Sequence, residues 1–464
     1  MSCDALFNTR CFLFAFLPVV LAGYWLLPWR RGKLLWVTLA SFTFYSFWDV
    51  RFSVLLLAAA VVDYLLALRV AAAQERRPKR AWLACSIVFN LGVLAFFKYA
   101  MFAAAGARSL FHLLGSSVEI PYFSIVLPVG ISFFTFKTMS YVIDVYRGEV
   151  QATRDFPKYL AFVSLFPELV AGPIVRYRSL GDQLDAIPRR PQAAFFGVGA
   201  QFFILGLAKK VLVADTLAAH VDPYWAQPEG LTMLQGWTAA LGYTLQLYFD
   251  FSGYSDMALG LGAMLGLRFP INFRAPYQAL NPTDFWRRWH ISLSTWLRDY
   301  LYIPLGGSRK GEVRARVNIV VVMALGGLWH GAAWTFVLWG LYHAGLLVLY
   351  RSVHGSWDRL PRPVQRGLTF LLVVVGWVIF RSGSLATAGS VYRAMAGVGT
   401  LGLAEVATLT AALVGLGVLF VLLARPTVEM SLRSTRWRGA ALGAIFALSI
   451  VWMSRESPFL YYQF

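Results

Sequence analysis

Apolar runs about as long as a bilayer is thick recur along this 464-residue chain, each bounded by Pro or by clustered Lys and Arg. A hydrocarbon core of about 30 Å takes about 20 apolar residues per helix. By that measure, candidate membrane segments lie at residues 11–29, 34–48, 52–73, 81–105, 126–146 and 194–216, and further on at 234–249, 251–267, 317–350, 367–380, 406–424 and 439–453. Lipid cannot satisfy backbone N–H and C=O groups, so runs of this length must become helices. The reading is an all-α polytopic membrane protein with roughly ten to thirteen membrane segments, some of them re-entrant. It treats residues 1–464 as one domain, with N-terminal helices over 1–105, a central region over 122–350 and C-terminal helices over 366–464.

The composition excludes a soluble fold: 58% of residues are hydrophobic, 14% are charged and the mean hydropathy is +0.59. A formal charge of +19 could signal nucleic acid. The basic residues instead fall in short clusters between apolar runs, at 30–33, 76–80, 176–190, 287–316 and 351–366. Such clusters set topology, so these loops are expected in the cytoplasm and the N-terminus outside, with membrane lipid as the surrounding partner and no nucleic acid. The first run is followed by Arg30, Arg31 and Lys33 without a small-residue cleavage site, which reads as a retained first helix. Cys3, Cys11 and Cys85 have no paired or metal-type spacing, so neither a disulfide framework nor a metal site is expected.

Two places defeat simple helix counting. Residues 317–350 span 34 positions, about 51 Å as one helix at about 1.5 Å per residue, far more than the bilayer core. Both flanks are basic, so a hairpin or broken helix fits, and Gly326, Gly327 and Gly331 put the break beside His330. The second place is FPELVAGPIVRY, residues 166–177, where Glu168, Gly172 and Pro173 interrupt an apolar run. Irregular backbone at that depth requires burial in protein or a wet cavity.

Two histidines stand in contrasting surroundings. His290 lies in the aromatic and basic run DFWRRWHISLSTWLRDYLYIPLGG, residues 284–307. Read as an interfacial amphipathic helix, residues 284–301 place Phe285, Trp289, Leu293, Trp296 and Tyr300 on one side and Arg287, His290, Ser294 and Arg298 on another. The aromatic side anchors the helix in lipid or protein. The basic side is either a solvated face or a receiver for an anionic donor through Arg287, Arg288 and Arg298. His330 sits in the nearly uncharged run ALGGLWHGAAWTFVLWGLYHAG, residues 324–345. A lone buried histidine is commonly satisfied by a backbone carbonyl. A desolvated imidazole also stays neutral and can accept a proton from a hydroxyl, the general-base role in acyl transfer.

Other polar residues in apolar runs have plainer readings. Asp250 and Asp256 suit structural hydrogen bonds, and Lys209 and Lys210 suit snorkelling to an interface. His343 lies 13 positions past His330, on the opposite side of one continuous helix. His112, His220 and His354 fall near segment ends. No Gly-rich phosphate loop, metal cluster or G-x-S-x-G elbow occurs.

At these residues the chain resembles the membrane-bound O-acyltransferase family, and within it the bacterial alginate O-acetyltransferase branch. The resemblance is carried in order by SFFTFKTMSYVIDVYRG (132–148), FPELVAGPIVRY, QLYFDFSGYSDMALGLGAMLG (246–266), the residue 284–307 run, GGLWHGAAWTFVLWGLYH (326–343) and SPFLYYQF (457–464). It implies a helical bundle thinned at its centre, with His330 as the catalytic histidine and His290 as the second. Beside these histidines, the reading of the residues nominates Trp289, Ser294 and the three arginines for the donor, and Trp329, Asp284 and Glu168 for support.

The same resemblance implies no permanently bound cofactor. Its donor is acetyl-CoA or an acylated carrier, and its partner is a periplasmic acetyltransferase acting on exported polysaccharide at a bacterial inner membrane. D-alanyl or other acyl transfer to a cell-wall polymer is the nearest alternative. From other classes, a transporter or flippase for a lipid-linked sugar would use Glu168, Asp144 and Asp250, and a scaffold would need neither histidine. No internal inverted repeat is visible in the sequence, which weighs against a transporter.

Overall fold

The computed structural model describes residues 6–115, 121, 123–398, 406–430, 435–453 and 459–460. Cys3 and most of the terminal SPFLYYQF element lie outside the described residues. Among the described residues the regular structure is helical throughout. Four helices of the described residues are long and apolar enough to cross a membrane: Val50–Ala72, Arg76–Leu113, Trp334–Trp357 and Arg362–Arg381. Phe12–Leu26 and Thr408–Leu423 are shorter apolar helices. The expected boundary at Asp250 is absent, because a single helix runs over Met233–Met264. Its two carboxylates are neutralised in place, so nothing forces the helix to stop there. Lys210 lies 2.7 Å from Asp250, and Lys209 lies 2.5 Å from Asp256. Both lysines are therefore held by carboxylates, which corrects the snorkelling reading. Cys11 is disulfide-bonded and Cys85 is free, so the expectation of no disulfide also fails. Residue spacing carries too little information to predict pairing in so short a segment.

The chain divides into two compact units, one of residues 1–203 with 257–270 and the other of 204–256 with 271–464. In the first, polar side chains join three helices. Asp63 accepts hydrogen bonds from Ser86 Oγ (2.5 Å) and Asn90 Nδ2 (2.7 Å), and Thr138 Oγ1 donates to Asn90 Oδ1 (3.0 Å). The irregular 166–177 stretch becomes a one-turn helix, Phe166–Leu169, then non-helical backbone over 170–176 and the start of the helix Tyr177–Asp185, all of 166–177 being buried in protein. Glu168 is consumed there by Lys137, whose Nζ donates to it at 2.8 Å and to Phe162 O at 2.6 Å.

In the second unit, residues 317–350 form the expected hairpin. Glu312–His330 stops at the histidine, and Trp334–Trp357 begins after three intervening residues, 331–333. Glycines allow the two helices to touch backbone to backbone. A Cβ on Gly327 would stand 2.2 Å from Phe336 O, and one on Gly340 would stand 2.2 Å from Met323 O. Small residues at such a crossing are what bring membrane helices this close.

Candidate active site

The expected interfacial helix over 284–301 is not continuous. It forms as Pro282–Arg288 and Ile291–Leu297, followed by a wider turn at Arg298–Tyr302. Trp289 between them is extended, and His290 has φ +42°, a left-handed conformation that costs a non-glycine residue of order 1 kcal/mol or more. Residues 272–274 supply the bonds that the helix gives up. Ile291 N donates to Asn272 O (3.0 Å), Ser292 Oγ to Asn272 Oδ1 (2.6 Å), and Arg274 N to Arg288 O (3.0 Å). The break turns His290 inward, to 0% exposure, where periodicity had put it on a basic face. Phe285, Trp289, Leu293, Trp296 and Tyr300 are all buried, so the aromatic side packs in protein. Asn272 was missed because its role is visible only once the chain returns against the break.

His330 is the last residue of its helix and is 5% exposed. Its ring is enclosed by Trp329, Trp339 and Phe380 at centroid distances of 5.0, 5.1 and 5.3 Å. The His290 ring is 6.4 Å away, with Phe251 edge-on to it at 4.8 Å. Among the described residues, neither ring nitrogen of His290 has a hydrogen-bond partner. The break at 331–333 interrupts the single helix on which the period had set His343 opposite His330. Trp339 contacts both His330 and His343, the latter at 4.9 Å.

A cavity of about 840 Å³ reaches His330. Glu312, Arg316, Ile319, Met323, Gly326 and His330 line it as one stripe, at the three- and four-residue steps of a helix face. Eighteen residue steps separate Glu312 from His330, about 27 Å at about 1.5 Å each. Trp339, Leu347, Tyr350 and Arg351 line the opposing helix, with Leu293, Ser294, Leu297 and Arg298 on a third side. The cavity is therefore apolar and aromatic around His330 and charged at its other end. There Arg351 donates two hydrogen bonds to Glu312 (2.6 and 2.8 Å), and Arg298 bonds Asp299 (2.7 Å). The Arg351 guanidinium holds the exposed Glu312 carboxyl below its ordinary range. His354, expected near a segment end, belongs to this charged rim.

The sequence-nominated residues thus separate. His330, Arg298 and Ser294 share the cavity wall. Trp329 and His290 lie against His330 without lining the cavity, and Trp289 is buried against Phe273 and Trp377. Arg287 is exposed and outside the lining. Arg288 is bonded to Asp284 (2.8 Å), which also accepts from Leu280 N (3.1 Å). Glu168 belongs to the other unit. Among the described residues no cluster of His, Cys, Asp and Glu could hold a metal ion.

Comparison with known proteins identifies the family. The membrane-bound O-acyltransferase family profile matches residues 149–380, which include both histidines and the whole cavity lining. A probable alginate O-acetylase AlgI of Pseudomonas aeruginosa is 46% identical over 88% of this chain and 78% of its own length. That of Pseudomonas putida is 43% identical over 99% of this chain and all of its own. A peptidoglycan O-acetyltransferase of Helicobacter pylori is 38% identical over 84% of this chain and 80% of its own. The chain is accordingly an integral membrane enzyme of the membrane-bound O-acyltransferase family, in its alginate O-acetyltransferase branch.

Proposed function

We propose that this enzyme moves an acetyl group from a cytoplasmic thioester, acetyl-CoA or an acylated carrier, toward an exported polysaccharide across a bacterial inner membrane, with His330 as general base. The observation that carries this reading is the placement of His330 at the apolar end of a long cavity whose other end is charged. That charged end lies in the basic stretches 287–316 and 351–366, which the Lys and Arg rule assigns to the cytoplasm. A thioester with an anionic carrier group would place its charge beside Arg298, Arg316 and Arg351 and extend its acyl end to His330. The acetylases of alginate and peptidoglycan among the relatives support acetyl as the group and a glycan hydroxyl as the acceptor.

In this scheme His330 takes the hydroxyl proton as the hydroxyl oxygen attacks the thioester carbonyl carbon. The C–O bond forms, the C–S bond breaks, and the imidazolium returns the proton to the departing thiolate. The aromatic enclosure excludes water, which would otherwise hydrolyse the thioester. His290, buried beside His330, orients it or assists proton movement. The N-terminus lies in the periplasm, where a partner acetyltransferase receives the group. His330→Ala should abolish polysaccharide acetylation with the membrane protein level unchanged. Acetylation at the wild-type rate by that variant would remove the assignment. Two of the three carboxylates that a sugar transporter would use are engaged otherwise: Glu168 by Lys137 and Asp250 by Lys210.

A further inference from the structure

We propose that Leu297 and Gly326 set the size of the acyl group that the enzyme accepts, an inference that rests on His330 being the base. Gly326 precedes His330 by four residues, one turn earlier on the same helix face, and both line the cavity. Its lack of a side chain has no backbone explanation. Gly327 and Gly340 are required where two helix backbones meet, since a Cβ on either would stand 2.2 Å from a carbonyl oxygen of the other helix, but a Cβ on Gly326 would meet only Leu297 Cδ1, at 3.3 Å. The space over Gly326 is therefore a notch in the wall, and the Leu297 methyl reaches across it.

The remaining sides of the imidazole are closed by Trp329, Trp339 and Phe380 at 5.0, 5.1 and 5.3 Å. Aromatic rings packed among one another give way less readily than one aliphatic side chain. When the acyl carbon leaves sulfur for the hydroxyl oxygen, and the hydroxyl proton passes through His330 to the thiolate, the acyl tail must fit between those rings and Leu297. A methyl fits beside the notch; each added methylene is driven against Leu297. Discrimination of one methylene in such a pocket is worth about 10- to 200-fold in kcat/KM.

The test uses the full chain in membranes, with acetyl-CoA and butyryl-CoA as probes, and reads thiol release and acyl transfer to an alginate oligosaccharide. Leu297→Ala should shrink the acetyl-to-butyryl ratio of kcat/KM by at least about tenfold, and Gly326→Ala should enlarge it. Both probes are measured on one preparation, so the ratio does not depend on how much of a variant folds. An unchanged ratio in both variants would overturn the proposal. Should Leu297→Ala fail to accumulate, Gly326→Ala decides, because its added methyl needs Leu297 to yield only a few tenths of an ångström. Persistence of transfer in His330→Ala is a separate failure, that of the base assignment, and leaves the ratios readable.

Discussion

Lys137 and Glu168 in the first unit are 1% and 0% exposed and meet as an ion pair at 2.8 Å, whereas His290 and His330 in the second are also buried but lie in aromatic surroundings, His330 on a cavity. The difference lies in what each cluster leaves available. Burying two opposite charges costs several kcal/mol of desolvation apiece, which only close pairing repays, so the lysine and glutamate are committed to one another. A histidine can be buried without a counter-ion, and neither ring nitrogen of His290 has a hydrogen-bond partner among the described residues. A buried polar side chain on an open cavity is therefore a better mark of chemistry than burial or charge alone.

The contrast can be broken by changing each cluster in turn. His330→Ala should lower acetyl transfer by at least about a hundredfold, the range of general base catalysis, with little change in thermal stability. Lys137→Met should do the reverse, lowering stability by about 3–5 kcal/mol through an uncompensated buried carboxylate. The paired change Lys137→Met with Glu168→Leu should recover most of that loss in thermal unfolding of the detergent-solubilised protein; no recovery would mean that the pair does more than cancel charge. The acyl-size ratio of the Leu297 and Gly326 variants follows at about tenfold. A smaller effect distinguishes two arginine sets. Arg298→Gln should raise the donor KM up to about tenfold, because Arg298 lines the cavity. Arg287→Gln with Arg288→Gln should raise it by less than about threefold, as for ordinary surface charges. Equal effects in the donor titration would restore the basic face as one recognition surface.

Much of the fold could be read from residue order. The hairpin at 317–350 followed from length, flanking charge and three glycines, all local quantities. The same local quantities placed His330 beside the break, where the helix Glu312–His330 ends. The inward turn of His290 could not be read. Periodicity assumes an unbroken helix, and what breaks this one is Asn272 and Arg274, which meet residues 288–292 only after folding. The same assumption hid His343, whose register is reset at 331–333, and it split Met233–Met264 at carboxylates that Lys209 and Lys210 neutralise. Spacing recovers what neighbours in sequence decide, and it misses charge cancellation between distant segments.

A structure of the enzyme with a non-hydrolysable acetyl-CoA analogue bound tests the central claim most directly. The account predicts the carrier chain between the Glu312–His330 and Trp334–Trp357 helices, with its anionic end at Arg298, Arg316 and Arg351. The carbonyl carbon should lie near His330, leaving room for a hydroxyl at about 3–3.5 Å from it. An analogue bound elsewhere, with this cavity unoccupied, would contradict the account.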